Sequence, residues 1–185
     1  MLNLNTKLVQ LEQEGKKINI SLVGAGQMGR AMISQMFCMR GIRPSILVDR
    51  NAEKAAKVYE SAGIDRGDIF EASTVSEAED AIKRNKFVVS ENFDIATKSL
   101  PIDVVIDATG DPEAGARLAL GSIHNGKHIV MLNVEADVTV GPVLKKMADS
   151  AGVVYTVSAG DEPGAIKELF DFADGVGFEV LVAGK

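Results

Sequence analysis

Ile18-Asn19-Ile20-Ser21-Leu22-Val23-Gly24-Ala25-Gly26-Gln27-Met28-Gly29 is followed, twenty positions after its last glycine, by Asp49. The apolar run Ile18 to Val23 suits a buried parallel strand. Gly24, Gly26 and Gly29 then give G-x-G-x-x-G spacing where the chain turns into a helix. Gly24 permits the tight turn, Gly26 lets a pyrophosphate approach the backbone, and Gly29 lets the helix pack closely on the strand. The helix N–H groups and the positive end of its dipole would face the anion, with Ala25, Gln27 and Met28 supplying backbone between the glycines. The same spacing also occurs in tight turns that bind nothing. Strand, glycines, helix and closing acid in this order favour a dinucleotide. Asp49 would accept hydrogen bonds from the adenosine ribose, the NAD pattern, while Arg50 beside it could take the 2′-phosphate of NADP. NAD or NADP is the expected cofactor, with a slight lean to NAD.

Outward from this stretch, strands and helices alternate. A short amphipathic helix over Thr6 to Glu14 precedes it and ends at Gly15. Helical spacing runs from Met28 to Met39, then a strand from Ser45 to Val48 closes at Asp49. Asn51 suits the N-cap of a helix over Ala52 to Ala62, with Gly63 at its C-terminal end. Ile64 to Ser73 has no clear pattern. Thr74 to Asn85 reads as a helix, and Phe87 to Val89 and Asp103 to Asp107 as strands. A helix from Glu113 to Ile123, a strand from His128 to Leu132, a helix from Thr139 to Ala151 and a strand from Val153 to Val157 follow. The last elements read as a helix over Gly164 to Ala173 and a strand over Phe178 to Val182. This alternation implies an α/β Rossmann fold, a doubly wound parallel sheet with helices on both faces.

The division expected is a nucleotide-binding domain over residues 1–160 and the start of a second, substrate-bearing domain over 161–185. The stop at Gly184-Lys185, directly after an apolar strand, reads as a truncation. Composition fits one globular unit, 46% hydrophobic and 25% charged. The net charge of −6 and the lack of any basic cluster argue against a nucleic-acid partner. No apolar run approaches the roughly 20 residues that cross a membrane, and no secretory leader is present. The single cysteine, Cys38, cannot pair internally, which points to a reducing compartment and cytoplasmic localisation. Its setting between Phe37 and Met39 reads as a buried helix face.

Three further groups bear on chemistry. Asp107-Ala108-Thr109-Gly110-Asp111-Pro112 closes the strand that should neighbour the first. Its small residues Ala108, Thr109 and Gly110, with Pro112 opening a helix, would let a cofactor lie across the loop. Asn133-Val134-Glu135 stands where groups meet the nicotinamide or the substrate, so Asn133 is a candidate cofactor contact and Glu135 a candidate catalytic acid. Lys185 is a second catalytic candidate, as a general acid toward a carbonyl oxygen. Asp161-Glu162 reads better as a helix cap than as a catalytic pair. His124 and His128 fall at the wrong end of their strand for catalysis, and with one cysteine they give no metal-ligand spacing, so no metal is expected.

Val23-Gly24-Ala25-Gly26-Gln27-Met28-Gly29, Asp103-Val104-Val105-Ile106-Asp107-Ala108-Thr109-Gly110 and Gly126-Lys127-His128-Ile129-Val130-Met131-Leu132-Asn133 together resemble the NAD(P)-binding domain of homoserine dehydrogenases. Asn133-Val134-Glu135-Ala136-Asp137 and Gly160-Asp161-Glu162-Pro163-Gly164 are similar to a branch of that family carrying a C-terminal SAF domain, which includes deoxyxylulose-phosphate reductoisomerase-like enzymes. The resemblance implies hydride transfer to or from a small polar carbonyl or alcohol metabolite, phosphorylated or not. It also implies a homo-oligomer for the full-length protein. Homoserine dehydrogenases usually have lysine after the asparagine, where this chain has Val134, which counts against homoserine as substrate. An NAD(H)-sensing module without catalysis is the alternative from another class.

Overall fold

Neighbouring strand residues in this chain feed two separate hydrophobic layers. Leu22 and Val23, Ile46 and Leu47, Val88 and Val89, and Val105 and Ile106 are all buried, and the members of each pair lie in different core clusters. That is the two-residue side-chain period of a strand covered on both faces. The computed structural model describes residues 3–158 and 162–183.

The elements are α1 (Leu4–Gln13), β1 (Ile18–Val23), α2 (Gln27–Phe37), β2 (Ile42–Val48) and α3 (Ala52–Ser61). A 3-10 turn (Arg66–Asp68), β3 (Ile69–Glu71), α4 (Val75–Lys83), β4 (Phe87–Ser90) and α5 (Phe93–Lys98) follow. The chain continues through β5 (Val104–Asp107), α6 (Pro112–His124), β6 (His128–Met131), α7 (Val134–Ala151), β7 (Tyr155–Val157) and α8 (Glu162–Gly175). The strands form one sheet in the order β3-β4-β2-β1-β5-β6-β7, and every pairing is parallel. The expected doubly wound α/β fold is what forms. Ile33, Met36, Ala55, Ala56 and Tyr59 bring α2 and α3 against one face. Ala78, Ile95, Leu118, Ile123 and Leu144 bring α4 to α7 against the other.

Local chemistry sets most boundaries. Asn51 accepts the Lys54 N–H at 2.8 Å and starts α3. Thr74 and Glu77 form a reciprocal capping box that starts α4. Asp111 accepts the Ala114 N–H at 2.9 Å and Pro112 occupies the first turn of α6, where its missing N–H costs nothing.

Several expectations need correction. α7 begins at Val134, not Thr139, because Asn133 caps it by accepting the Ala136 N–H at 3.0 Å. Pro142 sits inside that helix, and the carbonyl four residues earlier, which loses its N–H partner, belongs to Val138, exposed to water. The region 64–73 contains a 3-10 turn and the edge strand β3, and α5 is a further short helix that the periodicity did not show. Phe178 to Val182 is not a strand: these residues have no regular structure and no pairing partner, and Leu181 is 82% exposed. Cys38 is exposed, not buried; it caps the C-terminus of α2, one position after the inward-facing Phe37. His124 and His128 lie exposed at the end of α6 and the start of β6. Among the described residues no helix is long and apolar enough to cross a membrane.

Candidate functional site

β1 leads to β2 on one side of the sheet while β5, its other neighbour, leads to β6 on the opposite side. The crevice at such a switch point, at the carboxyl ends of the strands, is where open α/β sheets take ligands. Here Val23 pairs with Asp107, and the Ala108 N–H donates to Val23 O at 2.8 Å. The loop after β1 and the loop after β5 therefore leave the sheet in contact.

The glycines of the first loop carry three different constraints. Gly24 has φ +107°, and a Cβ there would lie 2.5 Å from the Ala108 carbonyl oxygen. At Gly29 a Cβ would lie 1.9 Å from the Gly24 carbonyl oxygen, so helix and loop could not close. Gly26 is different. Nothing lies within 4 Å of where its Cβ would stand, so its bare backbone faces open space. It is also the N-cap of α2 and offers no side chain to the first-turn N–H groups, which have no partner within a helix. Gln27 and Met28, both exposed, open that turn. An uncapped helix end beside an open cradle fits a pyrophosphate.

Asp49 ends the approach to this cradle. Its Oδ2 accepts the Ala25 N–H at 2.7 Å and pairs with Lys54 Nζ at 3.3 Å, while Oδ1 accepts the Asn51 N–H at 3.1 Å. Three of about four acceptor positions on the carboxylate are thus taken, leaving one for a ribose hydroxyl. A cleft of about 210 Å³ is lined by Gly24, Gly26, Asp49, Arg50, Lys54 and Thr109, among others. Arg50, Phe93, Asp111 and Ala114 connect it to a wider groove of about 560 Å³ between α5 and α6.

The opposite wall is the β5–α6 loop. Ala108 and Thr109 are half-buried, Gly110 is exposed with φ +69°, and Pro112 opens α6. Asp107, fully buried, accepts the Thr109 N–H at 2.9 Å and the Thr109 hydroxyl at 2.7 Å on Oδ1. Burial pushes its carboxyl above the usual carboxylate range, against the opposing pull of these hydrogen bonds.

Asn133 is 1% exposed, and both ends of its amide are used. Nδ2 donates to Asp111 O at 2.7 Å and to Thr109 Oγ1 at 3.2 Å, while Oδ1 caps α7. It stands behind the cleft, not in its lining. Glu135 is exposed on the first turn of α7. Lys185, Asp161 and the Glu162 side chain lie outside the described residues. Among the described residues no group of three or more His, Cys, Asp or Glu is arranged to hold a metal ion.

Sequence reasoning did not single out Lys54 or Phe93. Lys54 follows the Asn51 cap by three positions, so the first turn of a helix capped beside Asp49 returns it to that acid. This signal was readable once the cap was assigned. Phe93 belongs to α5, which had no legible period.

The family profile described as "Homoserine dehydrogenase, NAD binding domain" matches residues 24–158, the glycine loop to the end of β7. The chain belongs to this family. Residues 160–185 match a second profile, "Oxidoreductase DRL, catalytic domain". Its NAD-binding domain is thus joined to an oxidoreductase-type segment. Among solved structures, a homoserine dehydrogenase from Thiobacillus denitrificans superposes with TM-score 0.63 at 20% identity, over 86% of this chain and 33% of that one. Biliverdin reductase from Synechocystis, in complex with biliverdin and NADP+, gives 0.58 at 16% identity, over 85% and 43%. GenD2 from gentamicin A biosynthesis, in complex with NAD, gives 0.54 at 15%, over 86% and 40%. These likenesses share the fold, and the chain spans 33% to 43% of those three proteins' lengths. Comparison with curated protein sequences returns no match.

Proposed function

We propose that residues 1–160 form the NAD(P)-binding domain of a homoserine dehydrogenase-like oxidoreductase, and that 161–185 begin its second, substrate-bearing domain. The observation that carries this reading is the open Gly26 backbone at the uncapped start of α2, reached from behind by the Asp49 carboxylate. When bound, the nicotinamide supplies or accepts the hydride. The chain's own residues bind and orient. The N–H groups of Gln27, Met28 and Gly29 take the pyrophosphate, and Ala25 holds Asp49 against the loop. Asp49 takes a ribose hydroxyl, and Arg50 with Lys54 supplies the positive charge that a 2′-phosphate requires. Ala108, Thr109, Gly110 and Pro112 form the far wall.

Asn133 contributes by holding that wall. Glu135, exposed on the first turn of α7, is the group we assign to holding a proton at the substrate oxygen, with Lys185 as the second candidate. The match of residues 160–185 to an oxidoreductase catalytic domain supports an enzyme over an NAD(H)-sensing module, and the reductoisomerase-like, SAF-bearing branch rests on the resemblance of residues 133–137 and 160–164 alone. The substrate of the full-length protein, taken as a homo-oligomer, is then a small polar carbonyl or alcohol metabolite, phosphorylated or not.

Calorimetric titration of the chain with NADH and NADPH tests the reading. Binding with a dissociation constant on the order of micromolar is expected for at least one of them. No binding of either would contradict it.

A further inference from the structure

The two oxygens of Asp107 are treated unequally. Oδ1 accepts two hydrogen bonds from Thr109, whereas Oδ2 is buried without a well-formed hydrogen bond, its nearest polar neighbour being the Asn133 amide, which pulls the Asp107 carboxyl down. Beside it stands Gly115 of α6, where a Cβ would lie 2.6 Å from Asp107 Oδ2 and 2.6 Å from Asn133 Nδ2. Asn133 then ties Thr109 and Asp111 to the Ala136 N–H. A continuous set of hydrogen bonds therefore runs from the end of β5, through the β5–α6 loop, into the first turn of α7. A buried oxygen without a well-formed hydrogen bond costs stability. A fold that keeps a carboxylate there, and thins α6 to glycine around it, spends stability on holding that loop.

We propose that Asp107 is a positioning residue that, through Thr109 and Asn133, locks the β5–α6 loop to the start of α7, so that the cofactor-facing wall and the helix turn carrying Glu135 move as one body. The proposal rests on the reading of Thr109 and Gly110 as cofactor wall.

Its electrostatic surroundings make the role titratable. Asp111, on the same loop, adds negative charge that raises the Asp107 carboxyl further. From β7 and α7, Tyr155 donates to Asp137 Oδ1 at 2.7 Å, and the Tyr155 hydroxyl is itself pushed up by burial first, then by Asp137 and Asp107. β1 and β6 set Val23 and Met131 beside Asp107, and α6 sets Gly115 there, none of them charged. An anion bound at the glycine loop, next to Val23, adds more negative charge, so it favours neutral Asp107. Cofactor affinity then falls as pH rises through the Asp107 titration.

Two readouts test this on the full chain: NADH affinity as pH rises from the ordinary carboxylate range upward, and amide hydrogen exchange at Thr109. Wild type should lose affinity severalfold across the range, and Asp107→Asn, which cannot titrate, should be flat. Asp107→Ala, or Asp107→Val if that variant fails to fold, should expose the Thr109 amide to exchange about tenfold faster. An Asp107→Asn protein that keeps the wild-type pH slope, or wild-type protection of Thr109 in the truncated variants, would overturn the proposal. Failure of wild type to bind NADH and NADPH would defeat the functional reading instead, and Thr109 exchange would still decide whether the clamp exists.

Discussion

Gly24 and Gly29 are fixed by close backbone approach, whereas Gly26 is fixed by nothing inside the fold. A methyl group at Gly24 meets both a positive φ and the Ala108 carbonyl, so Gly24→Ala should lose about 2–3 kcal/mol in urea unfolding. At the ribose corner, Asp49→Ala should weaken NADH more than NADPH. Lys54→Ala should weaken NADPH about tenfold with little effect on NADH if, as proposed, the lysine serves a phosphate and not a hydroxyl; paired titrations check both. Asp107 gives a pH signature in stability as well. Its folded value lies above the unfolded one, so its contribution is fully present below the unfolded value of 3.8 and is lost as pH rises through the folded value. Urea midpoints of wild type should therefore decline over that window relative to Asp107→Asn.

At the scale of elements, the site depends on where helices start. Asn133 ends the loop after β6, starts α7 and ties down the neighbouring loop with one side chain. Asn133→Ala should cost about 2 kcal/mol, a lost cap plus two unmade hydrogen bonds, measured by urea unfolding. Caps were readable where the capping residue precedes a regular period, as at Asn51 and Thr74. They were unreadable at Asn133, because Val134 to Val138 looks like strand material and Gly141-Pro142 looks like a break. α5 and β3 are too short to show a period; they exist because α5 can bury Ile95 and Ala96, and β3 can pair with β4. Phe178 to Val182 shows the reverse error: apolar alternation without a neighbouring strand makes no sheet.

At the scale of the molecule, strand order brings together residues far apart in sequence. Asp49 meets Ala25, and Asn133 meets Thr109 and Asp111, only because β1, β2, β5 and β6 lie side by side. The glycine loop, its acid and the alternation of strand and helix are local signals, so fold and cofactor class were legible. The clamp behind the cleft is made of long-range contacts and was not. The two halves of the site also separate by chemistry: one wall is bare backbone for an anion, and the other is held from behind by buried side chains.

The proposed site has a dinucleotide lying on the open face of Gly26. NADH titration of wild type and Gly26→Ala, with thermal melting of both, decides whether it does. The added methyl group enters empty space, so the melting temperature should stay within a few degrees while NADH affinity drops at least about tenfold. Undiminished NADH affinity in a folded Gly26→Ala protein would contradict the claim.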